Sequence, residues 1–352
     1  MEFTGDVFIR VEGRVGRITL NRPQALNALN AGLAAAMSEA LRQWAGDDKI
    51  ALVLVDGEGE RAFCAGGDLS AIYSSAVAGD YESPLHFWRI EYQLDRLIAT
   101  YPKPYAVIMD GFVMGGGVGI SAHGSHRIVT ETSVVSMPEC SIGLVTDAGG
   151  THLLARAPGF LGEYLGLTGY RMKAADAILA GFADVYVPRN ALPELKTALV
   201  ETAAISTLGA FAVQPPFSSD LERRRAEIDP VFSAQTVGEI LERLETVCSD
   251  WAMNAFVSIR AASPMAVLIT LQAMRDAREN GSLDRALRNE YRFVSRSLQH
   301  GDFREGIRAA VIDKDRKPRW RHTGIEAVPA ELVALMLSPA EDGDPNFANG
   351  DD

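Results

Sequence analysis

Residues Val7–Glu12 and Val15–Leu20 alternate apolar and polar side chains on either side of Gly13, the pattern of a β-hairpin. Asn30 then stands where a helix cap belongs, ahead of Ala34, Met37, Leu41 and Trp44 at spacings of three and four. The short apolar run 50–55 suits a buried strand, and Pro84 sits where a second helix could start, with Trp88, Tyr92, Leu94, Leu97 and Ile98 following at near-helical spacing. Tyr105–Met109 reads as another buried strand, followed by a glycine cluster, an apolar stretch over 118–122 and a strand at His126–Val129. Strands alternating with helices predict an α/β domain around a largely buried sheet.

The pattern changes after about Pro188, where strand signals fade and helical periodicity dominates. Ser263-Pro264 is a helix start, a cap followed by a proline in the first turn. Its periodicity runs through Leu268, Leu271 and Met274, stops near Asn280-Gly281 and resumes over 283–298. The expected organisation is an α/β core over 1–188, a helical region over 189–337 and an acidic tail over 338–352. That tail holds Glu341, Asp342, Asp344, Asp351 and Asp352 among prolines and glycines, and reads as disordered.

Composition narrows the function classes. The chain has 352 residues, 47% of them hydrophobic and 23% charged, an ordinary balance for a globular protein able to bury a large core. Its formal net charge of -12 repels phosphate backbones and argues against a nucleic-acid partner. The apolar stretch 105–122 comes nearest to a membrane span but is broken by Asp110 and several glycines, so no membrane association is expected. Cys64, Cys140 and Cys248 are too few and too scattered for a disulfide framework or a zinc site. The first residues show neither the basic nor the apolar region of a signal peptide. The expected compartment is therefore reducing and cytoplasmic.

Two glycine-rich segments follow predicted strands: Phe63-Cys64-Ala65-Gly66-Gly67-Asp68, and Gly111-Phe112-Val113-Met114-Gly115-Gly116-Gly117-Val118-Gly119. Neither fits a dinucleotide fingerprint, since Ile120 and Ala122 stand where glycine is needed, and neither carries the Lys-Ser/Thr of a phosphate loop. Such glycines either allow tight packing or let two backbone N–H groups approach one ligand oxygen, as in an oxyanion hole. His123 and His126 lack a carboxylate or cysteine at ligand spacing and read as structural. Cys64 has no nearby histidine to activate it. Lys314, Arg316, Lys317, Arg319 and Arg321 form a basic cluster, either a solvated face or a contact for phosphates.

Three ordered motifs over residues 7–187 resemble the enoyl-CoA hydratase/isomerase (crotonase) superfamily. They are Ile18-Thr19-Leu20-Asn21-Arg22-Pro23 with Ala25-Leu26-Asn27-Ala28-Leu29, then Ala62 through Asp68, then Gly115-Gly116-Gly117. Within it, Met137-Pro138-Glu139, Ile142-Gly143-Leu144 and Asp147-Ala148-Gly149-Gly150 are similar to the 3-hydroxyisobutyryl-CoA hydrolases. So are Glu91-Tyr92, Ser263-Pro264, Glu290-Tyr291-Arg292, the run from Asp302 to Ala309, and Ile312-Asp313-Lys314-Asp315.

The resemblance implies a crotonase-like ββα spiral core with a helical C-terminal region, acting on a CoA thioester. The implied reaction is hydrolysis of a 3-hydroxyacyl-CoA, as in valine catabolism, with CoA part of the substrate and no cofactor or metal. The implied roles are Gly67 and Gly116 as oxyanion donors, Glu139 as nucleophile or general base, and Asp147 as the partner of the substrate 3-hydroxyl. Glu91 would line the acyl pocket, and Ala25, Leu26, Ala65, Gly67 and Asp68 would bind CoA. A homo-oligomer is also consistent with the superfamily.

Two departures matter. The hydratases carry a first catalytic glutamate where this chain has Gly119, so hydration of an enoyl-CoA is disfavoured. The hydrolases usually carry proline before the aspartate, where this chain has Thr146. Apart from the family, Asp147 could be a helix cap and Glu91 part of a solvated helix face.

Overall fold

The computed structural model describes residues 2–347, with side chains from Gly5 onward. The chain forms two compact units, each assembled from three segments. Unit one comprises Met1–Gly67, Ile90–Ser136 and Arg171–Glu222, and unit two comprises Asp68–Arg89, Met137–Tyr170 and Arg223–Asp352. The boundary expected at residue 188 follows the change from strands to helices along the chain. Contacts divide the chain differently, placing the helix Leu192–Thr202 with the sheet and two stretches from the first 170 residues with the later helices.

Among the described residues, unit one holds ten strands: β1 (Glu2–Thr4), β2 (Val7–Glu12), β3 (Val15–Leu20), β4 (Leu52–Gly57), β5 (Ala62–Cys64), β6 (Tyr105–Met109), β7 (Phe112–Met114), β8 (His126–Val129), β9 (Val134–Ser136) and β10 (Val185–Tyr186). Seven form a sheet in the order β1-β2-β3-β4-β6-β8-β10, antiparallel through β3 and parallel beyond it. The hairpin is in the register the alternation predicts, Val7 opposite Leu20 and Glu12 opposite Val15, turning at Gly13 with φ +59°. Strands β4 and β6 are buried along nearly all of their length, which is why they read as apolar runs. One face packs Val15, Leu52, Leu54, Ala106, Ile108 and Ile128 against Leu192, Leu195 and Leu199. Asn30 caps the helix Ala31–Ala45 by accepting the Leu33 N–H at 2.8 Å. Strands β5, β7 and β9 form a second, parallel sheet whose three-residue strands are too short to show a period in the sequence.

Unit two is helical. Its helix Pro264–Asn280 packs against Gly150–Ala155, Leu161–Thr168 and Leu283–Ser297. It starts and stops where the sequence indicates: the Ser263 hydroxyl accepts the Ala266 N–H at 3.3 Å, and Gly281 ends it with φ +64°. The acidic stretch expected to be a disordered tail is ordered through residue 347, because its carboxylates meet matching cations. Arg292 forks onto Asp344, with Nη2 at 2.5 Å, and Arg89 pairs with Asp342 at 2.7 Å. The Tyr291 hydroxyl donates to Asp342 at 2.8 Å, and Arg296 donates to the Ser338 and Pro339 carbonyls. Asp351 and Asp352 lie outside the described residues.

Candidate active site

The glycine loops belong to unit one. Strands β5 and β7 are neighbours, with Cys64 opposite Val113, so the loops that follow them leave one sheet side by side. Their approach is close enough to require glycine. Gly66 has φ +100°, and a Cβ there would lie 3.1 Å from the Met114 carbonyl oxygen and 3.7 Å from the Gly116 nitrogen. The Gly66 carbonyl accepts the Leu29 N–H at 2.8 Å, fixing the first loop. Among the described residues, neither the Gly67 nor the Gly116 N–H has an acceptor in the chain. Two main-chain donors of adjacent loops are thus left open.

Glu91 is 3% exposed, and its carboxylate packs over the α-carbon of Gly116, where a Cβ would collide with it. The solvated-face reading of Glu91 is therefore excluded. Gly119 lies within the short helix Gly116–Ala122, its N–H donating to the Gly115 carbonyl at 3.2 Å. Burial pushes the Cys64 thiol up to about 12, so it stays protonated and is no nucleophile.

The proposed CoA residues of unit one join this loop from upstream. The Ala65 N–H donates to the Leu26 carbonyl at 3.0 Å. The single turn Pro23–Ala25 ends in two left-handed residues, Leu26 at φ +52° and Asn27 at φ +55°. The buried Asn27 side chain locks them by accepting the Arg22 N–H at 2.8 Å and donating to the Glu58 and Ala62 carbonyls at 2.9 and 3.0 Å. Sequence reading gave Asn27 no such role; its signal was an asparagine between a proline turn and an apolar run.

Unit two carries the carboxylates. Glu139 begins the turn Glu139–Ile142 and is only 4% exposed, and its Oε2 is buried without a hydrogen-bond partner. Burial first, then the charge of Asp147 and more weakly that of Glu290, holds its carboxyl well above the usual carboxylate range. The turn is braced from behind. The Cys140 carbonyl accepts the Ser263 N–H at 3.1 Å, and Asp302, itself bonded to the Ser263 hydroxyl at 2.6 Å, packs where a side chain on Gly143 would go. Ser263 and Asp302, both in the quoted motifs, therefore serve as scaffold.

Asp147 is 5% exposed and lies on a tight turn in which Ala148 (φ +54°) and Gly149 (φ +72°) are both left-handed. Asp147 itself stands two residues before the N-cap position of the following helix, Gly150–Ala155. That position is Gly149, which has no side chain to cap with. The helix's N-terminal donors go to Glu290 instead: Oε2 accepts the Gly149 N–H at 2.8 Å, while Oε1 accepts the Thr151 N–H at 3.1 Å and the Thr151 hydroxyl. Burial pushes Glu290 up to about 8, against the pull of these donors and with the charge of Asp147 adding to the rise. Thr146 also finds a use. Its N–H donates to Thr270 Oγ1 at 3.2 Å, a bond that proline could not make.

Asp68, expected at CoA, caps the helix Leu69–Val77 through the Ala71 N–H at 3.2 Å. The basic cluster over 314–321 is solvent-exposed, with Lys314 and Arg316 in left-handed conformations.

A family model described as Enoyl-CoA hydratase/isomerase matches residues 15–337. The chain belongs to the enoyl-CoA hydratase/isomerase family. Within that family, it is 37% identical to the mitochondrial 3-hydroxyisobutyryl-CoA hydrolase of Gallus gallus, over 96% of this chain and 90% of that protein. It is 35% identical to the mitochondrial 3-hydroxyisobutyryl-CoA hydrolase of Homo sapiens, over 93% and 86%. Among solved structures, it resembles an enoyl-CoA hydratase from Rhodobacter sphaeroides 2.4.1 at 48% identity and TM-score 0.89, covering 97% of this chain and 100% of that one. A carnitinyl-CoA dehydratase from Mycobacterium thermoresistibile aligns at 43% identity and TM-score 0.93, covering 98% and 99%. The fold is accordingly the crotonase-like α/β architecture that the motifs implied.

Proposed function

We propose that this family member hydrolyses a 3-hydroxyacyl-CoA thioester, foremost 3-hydroxyisobutyryl-CoA, to the free hydroxy acid and CoA, a step of valine catabolism. The observation that carries this reading is a buried glutamate, Glu139, with an unpartnered Oε2 and a raised pKa, in a chain whose first hydratase position is Gly119. A single such carboxylate suffices for acyl transfer. Adding water across a C=C bond in this superfamily draws on two.

In the proposed reaction, the N–H groups of Gly67 and Gly116 receive the thioester oxygen as it becomes tetrahedral. A preorganised donor of this kind is worth roughly 3–4 kcal/mol of barrier. Glu139 acts by one of two routes, attack on the carbonyl carbon or removal of a proton from the attacking water. Either way, one water is consumed, the C–S bond breaks and CoA leaves as a thiol. Asp147 accepts the substrate 3-hydroxyl, and Glu91 lines the acyl pocket over Gly116. A site built to bind a hydroxyl rejects an ester that lacks it, because the polar group meant for it is then buried unpaired. Ala25, Leu26, Ala65 and Gly67 receive the CoA portion, with Asp68 holding the next helix start. CoA is itself part of the substrate, so the chemistry draws on no further cofactor.

The names of the two solved relatives favour a second reading, hydration or dehydration of an enoyl-CoA. Gly119 argues against it. The deciding experiment is a panel of thioesters assayed for free thiol, with crotonyl-CoA followed separately for hydration. Thiol release from 3-hydroxyisobutyryl-CoA without crotonyl-CoA hydration is expected. The reverse result would replace the hydrolase reading with the hydratase one.

A further inference from the structure

Glu290 lies on the helix Leu283–Ser297, 141 residues along the chain from Gly149, and is completely buried. A buried carboxylate needs donors, and Glu290 has three, all from the turn and first helical residues that follow Asp147. Ala148 is a non-glycine residue in the left-handed region, which costs roughly 1–2 kcal/mol and persists only where the surroundings impose it. The Asp147 carbonyl takes the Gly150 N–H at 2.8 Å, leaving the Gly149 and Thr151 N–H groups to be satisfied from elsewhere. Glu290 satisfies both, and its two oxygens fix the turn at two points.

We infer that Glu290 is a positioning residue that sets the orientation of Asp147 and thereby the enzyme's preference for a 3-hydroxylated acyl group. The inference rests on the hydrolase reading above and deepens it. Glu290 acts through the Gly149 and Thr151 amides rather than on a reacting atom. An amide in its place has one oxygen for the two sets of donors, and its NH2 faces an N–H, so one attachment point is lost. A misplacement of about 1 Å at a reacting group can cost on the order of a hundredfold.

The test, run above the Glu290 pKa of about 8 so that both of its oxygens accept, compares Glu290→Gln with the unaltered enzyme on 3-hydroxyisobutyryl-CoA and on isobutyryl-CoA, which lacks the hydroxyl. The expected result is a fall in kcat/KM of about a hundredfold on the hydroxylated ester, a much smaller fall on the other, and so a collapse of the preference. Equal losses on both esters would mark Glu290 as a general support of the fold and overturn the inference. Should Glu290→Gln fail to fold, Thr151→Val, which removes one donor and leaves the carboxylate, reads the same ratio. A smaller collapse is expected there, and an unchanged ratio counts against the inference. Amide hydrogen exchange separates this result from failure of the hydrolase reading. If the unaltered enzyme cleaves neither ester, that reading falls, while exchange at Gly149 and Thr151 still reports the hold on the turn. Faster exchange confined to that turn in Glu290→Gln supports it, and unchanged protection overturns it.

Discussion

The two units carry unlike chemistry. Unit one offers open main-chain donors, the N–H groups of Gly67 and Gly116, on loops where side chains are excluded by contact. Unit two offers side chains, a cluster of buried carboxylates whose burial and mutual charge keep Glu139 and Glu290 from ionising in the usual range. Backbone donors are fixed by local sequence, since a glycine is either present or not. A buried carboxylate is defined by what surrounds it, and here those surroundings come from more than a hundred residues away. The first kind of site is robust to remote change and intolerant of any local side chain. The second tolerates local change only if distant support is kept.

The strongest way to break this contrast is Glu139→Gln, which leaves the glycine loops intact. Turnover should fall roughly a hundredfold to ten-thousandfold, as for other groups that move a proton or attack in the transition state. Near-normal thiol release in a stopped assay would place the chemistry elsewhere. Gly116→Ala probes the other half. Its Cβ would strike the Glu91 carboxylate and lie 3.1 Å from Leu29 Cδ1, so the loop must shift. A loss of about a hundredfold to a thousandfold in kcat is expected, similar to that for removal of an oxyanion donor. If kcat were kept and only KM rose, the loop would serve binding alone.

Much of unit one was legible in the sequence. The hairpin, the capped first helix and the strand Tyr105–Met109 came from alternation, a cap residue and an apolar run, all local signals. The glycine loops were recognisable because the constraint is steric and admits one residue type. The roles of Asn27 and Glu290 were not legible, since each is made by partners the sequence does not place beside it. Glu290 did leave a trace. It falls on the stripe Leu287, Glu290, Tyr291 and Val294, a charged residue at positions three and four apart on a buried face. The ordered tail was misread for a related reason: its carboxylates look solvated until Arg89 and Arg292 are seen to meet them.

A finer test sharpens the coupling within unit two. Ionised Asp147 opposes ionisation of Glu139, and after burial this is the main reason its pKa is raised. If Glu139 works as a carboxylate, activity should rise with pH through its pKa, well above the ordinary carboxylate range. Asp147→Asn removes the opposing charge, so the acidic limb of residual turnover should move to lower pH. A pH–rate profile with that limb unmoved would uncouple the two groups. The smallest effect is expected in the C-terminal stretch. Asp344→Ala breaks the fork with Arg292, a partly exposed pair worth about 1 kcal/mol or less. Urea unfolding should register a loss of that size, and a much larger one would show that the C-terminal stretch supports the helix Leu283–Ser297 as well.

The bond between Glu290 and Gly149 also bears on how the protein reaches its working state. Contacts so distant in sequence form only after the intervening chain has lost much of its freedom. The sheet of unit one contains a hairpin that can pair early, whereas the Asp147 turn must await the arrival of the helix Leu283–Ser297. Refolding followed by strand signal should therefore run ahead of refolding followed by thioester cleavage. A chain emerging from the ribosome would hold much of its scaffold before it could tell a hydroxylated ester from a plain one.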